Sequence, residues 1–169
     1  MRDLGLYCGY QTGSIEVKHR LVNPSNLYRR TQVLTGGVAS TTAKSTDSAT
    51  ATNATTSATI ADVNLLGGVV TADAVTAKAS TTRKGTSLYR SSAGTSIANL
   101  EINGNPVTIT IKPNTRINIA GVGTLYLRRS IWNSTGFEVY ALQLVLSTAQ
   151  GGLPAGAVVT AGYAQSGVV

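Results

Sequence analysis

The sequence predicts an all-β domain, an antiparallel β-sandwich with a barrel as the alternative, preceded by an extended N-terminal region and a Thr/Ser/Ala-rich arm. Apolar and small polar residues alternate through the second half, as in Val107-Thr108-Ile109-Thr110-Ile111, which is the period-two pattern of a strand with one buried face. Turn residues recur at short, fairly even spacing, at Gly67-Gly68, Asn103-Gly104, Pro113-Asn114, Gly121, Gly123 and Gly151-Gly152, the punctuation of a sandwich or barrel. No segment makes a convincing amphipathic helix. Even Val139–Leu146 is too rich in β-branched and aromatic neighbours.

Taken in order, residues 1–35 form an N-terminal assembly segment with short strand candidates around Leu4–Tyr10 and Ser14–Lys18, punctuated by Gly9 and Gly13. Asn23-Pro24-Ser25-Asn26 reads as a turn, because proline presets φ and Asn or Ser closes local hydrogen bonds. Residues 36–59 are almost entirely Thr, Ser, Ala and Gly, interrupted mainly by Lys44, Asp47 and Asn53. Such a stretch lacks the large side chains that offset ordering entropy, so it reads as an extended arm. Threonine's β-branching suits an arm that adds to a neighbour's sheet, and Ala39–Thr59 is expected to do so.

Residues 60–169 are the compact sandwich, with the strands expected at Ser57–Leu66, Val69–Ser80, Ser87–Arg90, Ile97–Ile102, Pro106–Ile111, Thr115–Ile119, Thr124–Arg129, Gly136–Ser147 and Ala157–Ala164. Asn103-Gly104 is the sharpest turn signal, since a type I′ hairpin needs φ > 0 at both central positions. Gly121-Val122-Gly123 is too short for a dinucleotide fingerprint and reads as a tight turn. A single domain of this size buries roughly 68–70% of its unfolded surface and needs no staples.

The one cysteine, Cys8, excludes an intrachain disulfide. Fourteen Lys and Arg against seven Asp and Glu give a net charge of +7, which favours acidic partners. The cations are scattered as Arg29-Arg30, Arg83-Lys84 and Arg128-Arg129, as solvated strand faces and charged edges require. No apolar run approaches the ~18 residues of a membrane helix. Met1–Tyr10 shows no charged segment followed by an apolar one. The expectation is a protein made without Sec export, or a numbering that starts after a removed signal.

Reaction centres are poorly supplied. His19 sits between Lys18 and Arg20 with no adjacent carboxylate, so it reads as a surface histidine and not a general base. Asp62 and Asp73 form the one candidate carboxylate pair on neighbouring strands, but turn capping or pairing with Lys78 or Arg83 accounts for them. Asp62, Asn64 and Asp73 lack the alternating spacing of a dedicated calcium loop. No enzyme activity, cofactor or metal is expected. Rings beside cations occur at Tyr28-Arg29-Arg30, Tyr89-Arg90 and Tyr126-Leu127-Arg128-Arg129 with Trp132. That combination marks protein interfaces and also single-strand nucleic-acid platforms. The interface reading is preferred, because no nucleic-acid fold is recognisable.

Several blocks carry a family resemblance: Ala61-Asp62-Val63-Asn64, LGGVVTADAVTA (Leu66–Ala77), Asn103–Val107, PNTRINIAGVGTLYL (Pro113–Leu127), Ala141–Leu146, Gly152–Gly156 and Ala164–Val168. In this order they resemble the secreted "choice-of-anchor P" β-domains of actinobacteria over roughly residues 57–168. The resemblance implies a non-enzymatic surface or extracellular β-domain and carries over no site residue. The functional expectation is a structural subunit that meets copies of itself or an acidic shell, as a homo-oligomer or lattice component. A bacteriophage virion protein, a capsid decoration or tail-surface subunit, is the first setting. A secreted cell-surface or fibre-forming domain is the alternative, and a basic nucleic-acid-binding module the third.

Overall fold

The computed structural model describes residues 16–18, 33–133 and 136–168. Among the described residues there are thirteen strands: β1 Glu16–Lys18, β2 Leu34–Thr35, β3 Ala39–Asp47, β4 Thr52–Leu65, β5 Val70–Lys84, β6 Ser87–Ser91, β7 Ser96–Ala98, β8 Glu101–Ile102, β9 Asn105–Pro106, β10 Thr115–Ile119, β11 Gly123–Asn133, β12 Gly136–Leu146 and β13 Val158–Ser166. They form two antiparallel sheets. The first runs β1-β13-β12-β11-β10, and the second runs β2-β4-β5-β8-β9 with β3 on β4 and β6 and β7 on β5. β12 and β13 of the first sheet pack face to face on β4 and β5 of the second, so the all-β class and the sandwich layering are as expected.

Between the sheets lie Ile60, Val63, Leu65, Val70 and Val75 on one side and Leu125, Leu127, Val139, Leu142, Leu144 and Val159 on the other, all essentially inaccessible. Ala77, Ala79, Ala141 and Ala161 sit among them, and their small side chains let the sheets approach closely. Three hydroxyls also tie the layers. Thr56 Oγ1 donates to the Gln165 carbonyl at 2.7 Å, and the Thr81 and Ser166 hydroxyls are 2.8 Å apart.

Burial alternates along the long strands and then changes phase. In β12, Phe137, Val139 and Ala141 face the core, and then so do Leu142, Leu144 and Leu146. In β5 the inward set passes from Val70 and Ala72 to Val75, Ala77 and Ala79. At each change the ladder passes over one residue on both strands and resumes. Arg128 lies opposite Ala141, Ala141 opposite Gly162, and Asp62 opposite Asp73. Asp62, Arg128 and Gly162 have φ of 51°, 52° and 76°, the left-handed region in which one residue reverses the side-chain parity of a strand.

Several expectations are corrected. The stretch 36–59, read as an extended arm, forms β3 and the first part of β4 in the second sheet. Ala39–Asp47 pairs with Thr52–Ile60 of the same chain, and Ala54 and Ala58 are already core residues, because small side chains suffice where β13 covers them closely. Ile97–Ile102 divides into β7 and β8 around Asn99, whose φ is 48°. Pro106–Ile111 contributes only Pro106 to a strand. Its alternation has no ladder to serve, because residues 107–114 carry the chain from β9 in one sheet to β10 in the other, and Ile109 is left 53% exposed. Asn103 and Gly104 do take φ of 51° and 72°, the double positive φ of the type I′ hairpin. Leu4–Tyr10, Ser14, Ile15, Cys8 and His19 lie outside the described residues.

Gly162 combines a positive φ with a tight fit between the two sheets. A Cβ there would meet Val75 Cγ1 at 3.1 Å and Ala141 Cβ at 3.2 Å. We expect Gly162→Ala to lower stability by about 2 kcal/mol, combining left-handed strain with overpacking. The check is urea unfolding, read as a lower midpoint at unchanged slope.

Candidate functional site

The kink at Arg128 builds the region where the predicted interface residues meet. β10 ends its pairing at Thr115 opposite Leu127, so beyond Arg128 the strand β11 has lost its neighbour on that side. Asn114, itself left-handed at φ 60°, closes the gap. Its N–H donates to the Arg128 carbonyl at 3.1 Å, and its Oδ1 accepts the Ser130 N–H at 2.9 Å. The Arg128 guanidinium turns back, with Nη1 donating to the Ile111 carbonyl at 3.0 Å.

Three residues apart on a regular strand, Tyr126 and Arg129 would face opposite ways. The reversal at Arg128 puts them on one face, with the Arg129 guanidinium 4.9 Å from the Tyr126 ring centre. Arg116, opposite Tyr126 in the ladder, stands over the same ring at 5.6 Å. Arg129 Nη1 also donates to Gln143 Oε1. Both guanidinium groups therefore make ring contacts, each worth roughly 0.5–1 kcal/mol at an exposed site.

From the other sheet comes Arg90, on β6 opposite the buried Thr81. Its guanidinium lies 5.5 Å from the Trp132 ring. Trp132 is opposite Phe137; the indole is 69% exposed while the phenyl ring is 3% exposed. Arg90, Ser92, Asn114, Arg129, Ser130, Ile131, Trp132 and Phe137 line an open cleft of about 630 Å³ at this end of the sandwich. Arg90 Nε and Arg128 Nε are both removed from water and have no hydrogen-bond partner.

Of the residues singled out from the sequence, Arg90, Arg129 and Trp132 converge on the cleft, and Tyr126 and Arg128 position Arg129. Tyr89 does not join them. It pairs with Thr82, so its ring is on the opposite face of β6, with Lys84 Nζ 5.9 Å from it. Tyr28, Arg29 and Arg30 lie outside the described residues. Sequence reasoning missed Arg116, Asn114 and Phe137. Arg116 was within reach, since a hairpin turning at Gly121 brings it opposite Tyr126.

The other candidates resolve into turn and edge roles. Asp73 Oδ2 accepts from Asn99 Nδ2 at 2.6 Å. Asn64 Oδ1 accepts the Gly68 N–H at 2.7 Å and closes the β4–β5 turn. Asp62 is the kink residue. Among the described residues no three His, Cys, Asp or Glu side chains group as metal ligands, and no helix is long and apolar enough to cross a membrane.

No family model matches the chain, and no curated protein or solved structure does either.

Substitution at Arg128 separates backbone from side-chain effects. Arg128→Gly is expected to stay within about 1 kcal/mol of the native stability, since freedom at positive φ offsets the lost guanidinium bond. Arg128→Val should lose about 2 kcal/mol or more, because a β-branched residue is strained there. The emission of Trp132, the sole tryptophan, should shift in the valine variant alone.

Proposed function

We propose that the chain is a non-catalytic structural subunit that assembles with copies of itself through the open edge of β3. The observation that carries this reading is the strand itself. β3 has nine residues, exposed along its whole length, and it pairs with β4 on one side only among the described residues. Main-chain bonds from Ala61 N to Val38 O and from Ser48 N to Ala51 O bracket its ladder. The alternation of an antiparallel pair then gives the even-numbered residues to β4 and turns the N–H and C=O groups of Thr41, Ala43 and Ser45 outward. Such an edge is a template for another strand. It has no proline, and Lys44 and Asp47 are its two charges. A two-fold axis at Ala43 would set Lys44 opposite Thr42 of the second copy and Asp47 opposite Ala39, with no like charges facing.

The setting we put first is a virion surface, as a capsid-decoration or tail-surface subunit whose +7 charge complements an acidic shell. The block resemblance supports a secreted cell-surface fibre in its place. Imaging the native particle separates these. Copies seated on a capsid or tail lattice support the first, and an open filament of this chain alone supports the second.

Ala43→Pro is the decisive variant. Proline removes an N–H that faces the open edge and leaves the bonds to β4 in place. The expected result in sedimentation velocity is a folded monomer, where the native chain forms dimers or larger species. A native chain that stays monomeric at all concentrations, or a proline variant that assembles unchanged, overturns the reading.

A further inference from the structure

We propose that the cleft between Arg90 and Trp132 binds a carboxylated sugar, the uronate unit of an acidic polysaccharide. The first requirement is an anion. Arg90 and Arg129 both line the cleft, and no carboxylate is among its described lining residues, so two guanidinium charges face it with no anion of the chain beside them. A carboxylate takes two parallel N–H groups from one guanidinium edge, here the one formed by the two Nη atoms. The ring contact at 5.5 Å restrains the Arg90 side chain, which reduces the freedom lost on binding. Arg129 lines the same cleft and contributes a second positive charge.

The second requirement is a flat apolar face. Trp132 is 69% exposed, with Arg90 over the indole and the rest of the ring open to a ligand. A pyranose ring presents axial C–H groups on one side and hydroxyls around its rim. Stacked on the indole, it would bring those hydroxyls within the range of Ser92, Ser130 and the Asn114 amide, which also line the cleft. Asn114 Oδ1 is already bonded to Ser130 N–H, which leaves its Nδ2 hydrogens as donors. A volume of about 630 Å³ is within the range of small-ligand sites and suits one or two sugar units.

A single-stranded nucleic acid would need successive stacking platforms. Here the second ring, Tyr126, already has two guanidinium groups over it, at 5.6 and 4.9 Å. Trp132, with one guanidinium over it, is among the described residues the one exposed ring that lines the cleft, and it serves one unit. A simple inorganic anion, in turn, would make no use of Trp132.

The test is calorimetry on the full chain with digalacturonate, the neutral disaccharide galactobiose, an eight-nucleotide oligo-dT and inorganic phosphate, with Trp132 emission followed in parallel. Digalacturonate should bind at least about tenfold more tightly than each of the others and change the indole emission. Arg90→Lys, which keeps the charge but removes the planar fork, should weaken it by about tenfold, and Trp132→Ala by a similar factor, with melting temperatures unchanged. The emission titration on the native chain needs no variant, so misfolding of either one does not blunt the test. Equal binding of the neutral disaccharide, tighter binding of oligo-dT, phosphate matching digalacturonate, or no heat at millimolar ligand would each overturn the assignment.

Discussion

Where a ladder passes over one residue on each of three neighbouring strands, at Arg128, Ala141 and Gly162, the buried and outward sides of those strands change places. A matching switch at Asp62 and Asp73 crosses β4 and β5. The two are in contact, because Gly162 packs against Val75 and Ala77, the inward residues that follow the β5 switch. If one sheet kept a single parity, half of its apolar residues would leave the core, and a one-residue slip exposes a whole hydrophobic set. The core of the sandwich therefore depends on both sheets reversing at the same level.

The reversal is also what assembles the cleft. Without the left-handed turn at Arg128, Arg129 would project with Leu127 into the core, where an unpaired guanidinium is unfavourable by several kcal/mol. Trp132 would move to the side away from Arg90. The strained residue, its clamp by Asn114 and the loss of β10 as a neighbour all occur within one turn of chain. Strain held in place by surrounding structure next to an exposed cleft is a common arrangement for binding sites.

Legibility in the sequence follows the range of the interaction. The fold class, the Asn103-Gly104 hairpin and Thr115–Ile119 were readable because each depends on a few adjacent residues: two positive φ values, or five residues of alternation. Thr108–Ile111 alternates as cleanly yet forms no strand, since pairing depends on which chain lies beside it and not on the segment itself. The polar stretch 36–59 misled for the converse reason. Its alanines count as core only because β13 lies across them, as Thr56 shows by bonding to Gln165, 109 residues away. Tyr126, Arg128, Arg129 and Trp132 stood out by composition, but the parity reversal that groups them leaves no mark in a pattern of apolar residues, because an arginine occupies the left-handed position where glycine is usual.

The open edge and the cleft occupy opposite sides of the second sheet, β3 beyond β4 and β6 beyond β5. Pairing of two copies through β3 therefore leaves each cleft uncovered, and the dimer would display two clefts at a fixed separation. An acidic polysaccharide repeats its charged unit along a chain, so the second cleft would meet a ligand tethered by the first. Effective concentrations for such second contacts reach the millimolar range with short connections, and avidity can exceed single-site affinity by ~10²–10⁴. A shallow site with two arginines and one open ring, weak by itself, would then suffice for lasting attachment. In this view the flat polar edge and the small aromatic cleft are parts of one design, in which the sheet supplies the spacing and the kinked strand supplies the contact.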